Sequence, residues 1–421
     1  MSGDRYTPFT SEDEARSIEH ALERLPTGLD ALSVVSALRR ELAPDTARRA
    51  AELHELRSRA TERFPSGRLR FLTREGLEQA TREVVARLRA QRIAELSPGA
   101  SVYDATCGLG ADALALAKAG LRVIAGELDP LVARCARANL APYSNRSCVI
   151  LADAMLAPVS AAFLVIDPDR RAAGRRVLEP QRWSPPLASV LRLCARFRGA
   201  CVKLSPAFDI GEVGALESSL PHGFQWVSVE RELCETNLWT GEWASAVGRP
   251  GEREAVTLDG HGKTHRITGH PFPVVSDLSE RVSGNCWLLD PDPAVVRSGL
   301  LGRLAFGISA RGLDPQLAYL LSEERPSSPW VRGWHVLETS SADPKRVREA
   351  LRRHDIGPVQ VLKRGHPEPA EVLERRFRGP GQRRGLLAVA RIGDGHRVFL
   401  LDPQTAERVS DTDPEPPPSR A

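Results

Sequence analysis

Over the first ninety or so residues, apolar positions recur every three or four, the spacing of one helical face. Ser11-Glu-Asp-Glu14 reads as a capping box ahead of Ile18, Ala21 and Leu22. A second helix is expected over residues 47–63, after Pro44-Asp45. A third is expected after Thr73, which can cap it, with Leu77, Ala80, Val84 and Leu88 on one stripe. From Ser101 the rhythm changes to short apolar runs alternating with helical segments. Val102-Tyr103 leads into a glycine-rich turn and a helix over 111–119. A strand over 122–126 and a helix over 130–139 follow, then strands over 149–151, 162–166 and 200–204. That alternation implies a parallel sheet with crossover helices, a Rossmann-like α/β region. Gln225-Trp-Val-Ser-Val229 and Glu242-Trp-Ala-Ser-Ala-Val247 are expected to close the sheet.

Residues 248–273, rich in Gly, His and Arg, read as a connector with a hairpin. Beyond Cys286 come a strand over 334–338, a helix over 344–354, a strand over 358–362, a helix over 369–378 and a hairpin closing on Gly393-Asp-Gly395, a compact α+β module. The expected organisation is a helical region over 1–95, an α/β domain over 96–248, a connector over 249–284, an α+β domain over 285–407 and a proline-rich, disordered tail over 408–421.

Composition narrows the class. A chain of 421 residues is too long for one ordinary domain, and 42% hydrophobic with 27% charged residues suits a soluble globular protein with a sizeable core. Apolar runs stay short of the ~18 residues a bilayer span needs. The start lacks the basic-then-apolar order of a secretory leader. Seven cysteines, an odd count without a C-x-x-C pair, signal neither a disulfide framework nor a zinc site. A reducing cytoplasm is the expected setting, and no metal is expected. The net charge of +4 is unevenly spread: Ser341 to Leu400 holds fourteen Lys or Arg against seven Asp or Glu, an excess of +7, leaving about −3 elsewhere. Only five of these cations along the whole chain are lysines. Arginine's planar fork suits phosphate, although composition alone favours ordinary solvated cations.

The sharpest motif is Asp104-Ala-Thr-Cys-Gly108-Leu-Gly110-Ala-Asp112-Ala113, set between a strand and a helix. Its glycines let the backbone turn tightly and aim N–H groups at a ligand. The pattern Gly108-x-Gly110-x-x-Ala113 with acids downstream matches a dinucleotide fingerprint, a weak signal alone. Asp104 discriminates between ligands, because a carboxylate at that strand end would oppose a pyrophosphate but favour an ammonium. S-adenosylmethionine carries an ammonium and no phosphate. Glu127 then ends the second strand, where it can accept ribose hydroxyls, and Asp153 ends the third, where it can accept from an adenine amino group. Asp129 reads as an N-cap for the helix from Pro130. On these residues the chain resembles the class I S-adenosylmethionine-dependent methyltransferases across residues 73–247. The resemblance implies Asp104, Thr106, Gly108, Gly110, Asp112, Glu127 and Asp153 as cofactor contacts.

The fourth strand ends Leu164-Val-Ile-Asp167-Pro168-Asp169-Arg170-Arg171. This resembles the Asp-Pro-Pro-aromatic and Asp-Pro-Pro-Arg turns of nucleic-acid methyltransferases, in which a carboxylate and carbonyls face the amine that attacks the methyl. Asp167 is the expected positioning acceptor or base, with Pro168 and Arg170 beside it. Arg170 stands where an aromatic would stack on a base. Ser205 and Pro206 stand where a covalent pyrimidine methyltransferase would place its nucleophilic cysteine, so non-covalent transfer to a nitrogen is expected. Arg171, Arg175 and Arg176 crowd the following segment and suit RNA phosphates or a solvated face equally. Lys203, near the end of its strand, suits a phosphate contact or an ion pair. Trp183, Trp239 and Trp243 could stack a base, although tryptophan is more often core.

Leu77-Glu-Gln-Ala-Thr81, the Asp104–Gly110 loop, Asp167-Pro-Asp-Arg-Arg171, Lys203-Leu-Ser-Pro206, Leu233-Cys-Glu-Thr-Asn-Leu-Trp239 and Leu362-Lys-Arg-Gly365 together resemble a bacterial family that joins such a domain to a C-terminal THUMP-like domain. THUMP modules elsewhere bind RNA, notably tRNA. The resemblance therefore implies tRNA or rRNA as substrate and Lys363 and Arg364 as RNA contacts. Three other readings remain open at this point: methylation of a protein or small molecule, a non-catalytic RNA-binding factor retaining the cofactor pocket, and a dehydrogenase.

Overall fold

The computed structural model describes residues 6–156, 159–172, 175–177, 179–214, 220–259, 262–276 and 286–405. The tail expected to be disordered over 408–421 lies outside them. The chain divides into two compact units, Met1–Gly223 with Thr236–Ala246, and Phe224–Glu235 with Val247–Ala421.

The first unit opens with α1 (Glu12–Glu23), α2 (Ala31–Leu38) and α3 (Pro44–Ala60). Ser11 Oγ accepts the Glu14 N–H at 3.1 Å, and Glu14 reaches back to the Thr10 N–H at 2.6 Å. The capping box is thus present, its return bond falling one residue earlier than expected. Asp30 caps α2, a helix whose short apolar stretch escaped the periodicity. These helices seal a core around Ile18, Leu38, Leu53, Leu56 and Leu72.

The single helix expected after Thr73 is two, α4 (Arg74–Gln79) and α5 (Glu83–Leu96). Ala80 and Arg82 both take ψ 138°, an extended setting that ends one helix and starts the next. Arg63 explains why the break holds. Its guanidinium donates to the carbonyls of Leu77, Glu78 and Ala80 at 2.8, 3.2 and 2.6 Å, supplying donors that the end of α4 lacks.

The α/β part runs β1 (Ser101–Asp104), α6 (Ala111–Lys118), β2 (Arg122–Glu127), α7 (Pro130–Leu140), β3 (Ser147–Leu151) and β4 (Phe163–Ile166). A two-residue ladder of β5 (Arg171–Ala172) and β6 (Arg175–Arg176) precedes α8 (Leu187–Cys194), β7 (Gly199–Leu204) and the short α9 (Gly211–Gly214). The strands lie side by side as β3-β2-β1-β4-β7, all parallel. Strand order reverses between β1 and β4, and ligands of open α/β sheets bind at the carboxyl ends of such strands. After β8 (His222–Val229) comes β9 (Glu232–Gly241), whose residues 236–241 run antiparallel to β7. The strand expected over 242–247 is instead a 3-10 turn. Gly241, at φ +62°, ends β9, and a Cβ there would lie 2.3 Å from the Arg198 carbonyl. Trp243 then stacks on Phe163 with ring centres 4.5 Å apart.

Buried Asn139 pins the helical region to the sheet. Its Oδ1 accepts the N–H groups of Arg70 and Phe71 at 2.9 and 2.8 Å, and its Nδ2 donates to the carbonyls of Phe71 and Leu109 at 3.0 and 2.9 Å.

In the second unit β10 (Arg253–Leu258) pairs parallel with β8 and antiparallel with β11 (Thr264–Gly269), so the hairpin expected in the connector is part of a sheet; residues 277–284 of the connector lie outside the described residues. Then follow β12 (Trp287–Pro291), α10 (Pro293–Ser298), α11 (Leu301–Gly307), β13 (Arg311–Gly312), β14 (Leu320–Ser322), β15 (Val331–Ser341), α12 (Pro344–Arg353), β16 (Ile356–Arg364), α13 (Ala370–Arg376), β17 (Arg383–Ile392) and β18 (Gly395–Leu401). They form a seven-stranded sheet ordered β13-β14-β12-β15-β18-β17-β16. Helices α12 and α13 seal one face through Leu351, Leu373 and Phe377. Among the described residues no helix is long and apolar enough to cross a membrane.

Candidate active site

A cleft of about 910 Å³ opens over the carboxyl ends of β1, β2, β4 and β7. Its volume lies near the top of the roughly 300–1,000 Å³ typical of small-molecule sites. The sequence motifs converge there: Asp104, Thr106, Gly108, Asp112, Glu127, Asp153, Asp167, Pro168, Arg170 and Lys203 all line it.

Asp104 ends β1 with its side chain buried, and its Oδ2 has no hydrogen-bond partner. The Thr106 N–H reaches the same carboxyl. Burial, then the nearby charge of Asp112, push its pKa well above the ordinary carboxylate range, with Arg89 opposing. Such a buried carboxyl is costly unless a cation meets it. Gly108 and Gly110 follow at φ +55° and +88°, the left-handed region where glycine carries no steric penalty. A Cβ on Gly108 would meet nothing within 4 Å, so the loop leaves open space on that side.

Glu127, at the end of β2, is already engaged by backbone. Its Oε2 accepts the Gly108 N–H at 3.0 Å and its Oε1 those of Leu128 and Asp129, both at 2.9 Å. These bonds fix the carboxylate while leaving lone pairs for a ligand. Asp153 Oδ1 accepts the Met155 N–H at 2.8 Å, steadying the turn after β3. Asp129 caps α7 by accepting from Leu131 and Val132, at 2.8 and 3.2 Å.

The floor departs from a simple row of acids. Asp112, expected to touch a cofactor, is ion-paired with buried Arg89 and accepts from the Thr81 hydroxyl at 2.6 Å. Burial works against its charge, yet Arg89, Lys203 and Thr81 hold its pKa below the ordinary value. Lys203 donates to Thr81 Oγ1 at 3.0 Å and to Asp167 Oδ2 at 2.5 Å. One continuous chain therefore runs Arg89, Asp112, Thr81, Lys203, Asp167. At its end the Asp167 N–H donates to Thr106 Oγ1 at 2.8 Å, fixing the turn after β4.

Asp169 and Ser184 exchange two backbone hydrogen bonds of 2.8 Å, so the Asp-Pro turn is braced from outside. Arg170 is half-buried on the cleft wall. Arg171, Arg175 and Arg176 lie on β5 and β6; nothing of their side chains belongs to the described residues. Trp183, Trp239 and Trp243 are all buried core. Cys201 is buried inside β7, and Cys107 is a buried thiol whose pKa burial and then Asp104 push well up, so neither is presented as a nucleophile. Lys363 and Arg364 belong to the second unit. There Lys363 donates to the His366 carbonyl at 3.1 Å, while Arg364 is paired with Asp290 at 2.5 Å and lies over Tyr319. Sequence reasoning named Thr81 only within a family motif, without a role, and missed Arg89 and the exposed Leu128 beside Glu127.

Comparison with known proteins adds the family. Two Mycobacterium tuberculosis proteins, from strains CDC 1551 / Oshkosh and ATCC 25618 / H37Rv, are each 35% identical over 327 residues, covering 77% of this chain and 86% of the relative. Both are named as uncharacterized S-adenosylmethionine-dependent methyltransferases. The chain belongs to the S-adenosylmethionine-dependent methyltransferases. A solved structure from Porphyromonas gingivalis W83, named as a methyltransferase, is 17% identical to this enzyme and shares its fold, with a TM-score of 0.73 over 93% of this chain and 98% of its own. Residues 331–403 of the methyltransferase match the THUMP domain-like family. The cofactor that the family implies fits the cleft on three observations: the unpartnered buried Asp104 Oδ2, the open side of Gly108 and the free volume above them.

Proposed function

We propose that this methyltransferase acts on RNA, tRNA or rRNA, and delivers the methyl group to a base nitrogen without a covalent enzyme–substrate step. The observation that carries the RNA reading is the THUMP-like match over 331–403, a region with an excess of arginine, since THUMP modules elsewhere bind RNA. When bound, S-adenosylmethionine supplies an electrophilic methyl group. On this reading Asp104 holds its ammonium, the Gly108–Gly110 turn and Thr106 its amino-acid end, Glu127 its ribose and Asp153 its adenine. Asp112 acts one step removed, by anchoring Arg89 and Thr81.

Asp167 receives the nucleophile. Lys203 occupies its Oδ2, which leaves Oδ1 to accept one N–H of the incoming amine and orient the lone pair. Pro168 and Arg170 shape the wall against which the base lies, and Arg171, Arg175 and Arg176, on the segment that follows in sequence, are the residues assigned to phosphates. Among the described residues the cleft's two thiols, Cys107 and Cys201, are both buried, which supports non-covalent transfer. The domain limits read from the sequence, 96–248 for the methyltransferase part and 285–407 for the THUMP-like part, belong to the same proposal. Mass spectrometry of RNA nucleosides from a deletion strain and its parent tests the reading. One methylated nucleoside missing from the deletion strain is expected; identical profiles would turn attention to protein or small-molecule substrates.

A further inference from the structure

We propose that Thr81 is a positioning residue: its hydroxyl decides which of two carboxylates the Lys203 ammonium serves, and so keeps Asp167 set for the incoming amine. The inference rests on the assignment of Asp167, above, as the acceptor of that amine. Thr81 stands buried in the extended break between α4 and α5 and lines the cleft. Its hydroxyl has a single proton and meets two groups of opposite charge. Asp112, ion-paired with Arg89, offers only lone pairs, so the proton goes to its Oδ2 at 2.6 Å. The Lys203 ammonium can only donate, so it takes a lone pair of the same hydroxyl at 3.0 Å. Both neighbours thus fix the orientation of the hydroxyl.

Lysine carries a point charge on a flexible four-carbon stem, so the groups around the ammonium set where it rests. Two negative side chains compete for this one. Asp167 Oδ2 holds it at 2.5 Å, while Asp112 attracts it from across the hydroxyl. The Lys203 and Asp112 side chains are only 11% and 14% exposed, so water screens that attraction poorly. The hydroxyl keeps the two charges apart while remaining bonded to both. Without it, direct contact between the ammonium and Asp112 becomes the favoured arrangement. Asp167 Oδ2 then loses the donor that Lys203 gives it. The Asp167 N–H still donates to Thr106 Oγ1 at 2.8 Å, but that bond fixes the turn and not the carboxylate. Rotation of the carboxylate misplaces the oxygen that orients the nucleophile. A hydroxyl that served packing alone would act on stability and leave turnover untouched.

The test is a double-mutant cycle of Thr81→Val, which keeps the shape and removes the hydroxyl, with Asp112→Asn, which removes the competing charge. Turnover of the full-length protein is read as labelled methyl passed from S-adenosylmethionine into an extract of the deletion strain, which holds the unmodified substrate whatever its class. Thr81→Val is expected to lower kcat roughly 10- to 100-fold, the scale of a misplaced reacting group, with KM for S-adenosylmethionine within about threefold. Thr81→Ser keeps both hydrogen bonds and should restore most of the rate. In the Asp112→Asn background, Thr81→Val should cost no more than about twofold, because the competing charge is gone. A crystal structure of Thr81→Val should show Lys203 Nζ on Asp112. Unchanged kcat in Thr81→Val, equal losses in both backgrounds, or Nζ still on Asp167 in that structure would each overturn the inference. Full activity of Asp167→Ala, or no labelling by the wild type, would instead remove the acceptor assignment on which it rests.

Discussion

Asp104→Asn removes one charge from the cleft floor with little change of shape. Three carboxylates there, Asp104, Asp112 and Asp167, face two cations, Arg89 and Lys203, so the ionised floor carries one negative charge in excess. Asp104 bears that excess, because Asp112 and Asp167 have cationic partners while its own Oδ2 has none. Burial and then Asp112 raise its pKa, so in the free protein it keeps a proton at pH values where an unfolded-chain Asp has lost it. A bound ammonium reverses this. Cofactor binding should then release a proton below the folded pKa, and affinity should rise with pH until that pKa is passed and level off above it. Loss of one partner from a buried charge pair costs roughly 2–5 kcal/mol, or about 30-fold to a few thousandfold in Kd on the plateau. The fold itself responds with the opposite sign. The stabilising contribution of a carboxyl with a raised pKa is complete below the unfolded value and is lost as pH rises through the folded one. Without cofactor, the Asn variant should therefore be at least as stable as wild type at alkaline pH. Calorimetric titration with S-adenosylmethionine in buffers of different ionisation heat reads the proton directly. A wild-type Kd that is flat with pH and equal to the variant's would refute the reasoning.

Asp167→Ala is expected to keep cofactor affinity within a few-fold while turnover on the responsive RNA falls by roughly a hundredfold or more, measured by transfer of labelled methyl. Lys203→Met strips a cation from Asp167 and Asp112 and should lower stability by roughly 1–3 kcal/mol in thermal melts, with Lys203→Arg restoring part of the loss. Gly108→Ala forces φ +55° on an alanine at a cost of about 1–2 kcal/mol to the fold. Because the added methyl points into open space, cofactor affinity by calorimetry should fall by more than stability does. Asn139→Leu leaves three N–H or C=O partners on the 70–71 segment and the Leu109 carbonyl unanswered, and is expected to cost roughly 3 kcal/mol or more in chemical unfolding.

What the sequence conveyed was local chemistry. Glycines in a strand-to-helix turn and acids at successive strand ends are visible because each depends on residues within a few positions of itself. The same holds for the α12–β16–α13–β17 run, whose periods switch cleanly between helix and strand. Pairings across the fold were not visible. Lys203 and Asp167 meet because β4 and β7 are neighbours, and nothing in either segment states which partner the ammonium takes. Arg89 sits among apolar positions of α5, where a cation ordinarily reads as solvated, and its role depends on Asp112 from another helix. The interruption at Ala80–Arg82 carries no glycine or proline to announce it; its cause is Arg63, far away along the chain. Likewise, Glu242–Val247 has strand-like residues but follows a glycine that has already turned the backbone.

That interruption has a practical consequence. By swinging Thr81 inward and letting α5 present Arg89, it makes the helical prefix supply two of the six polar groups on the cleft floor. A shortened enzyme beginning at β1 would keep the glycine-rich loop and the Asp-Pro turn, yet its three acids would face Lys203 alone. The excess would grow from one negative charge to two, with no hydroxyl left to bridge Asp112 and the lysine. The smallest piece that can work thus begins well upstream of the glycine-rich loop that marks the cofactor fold.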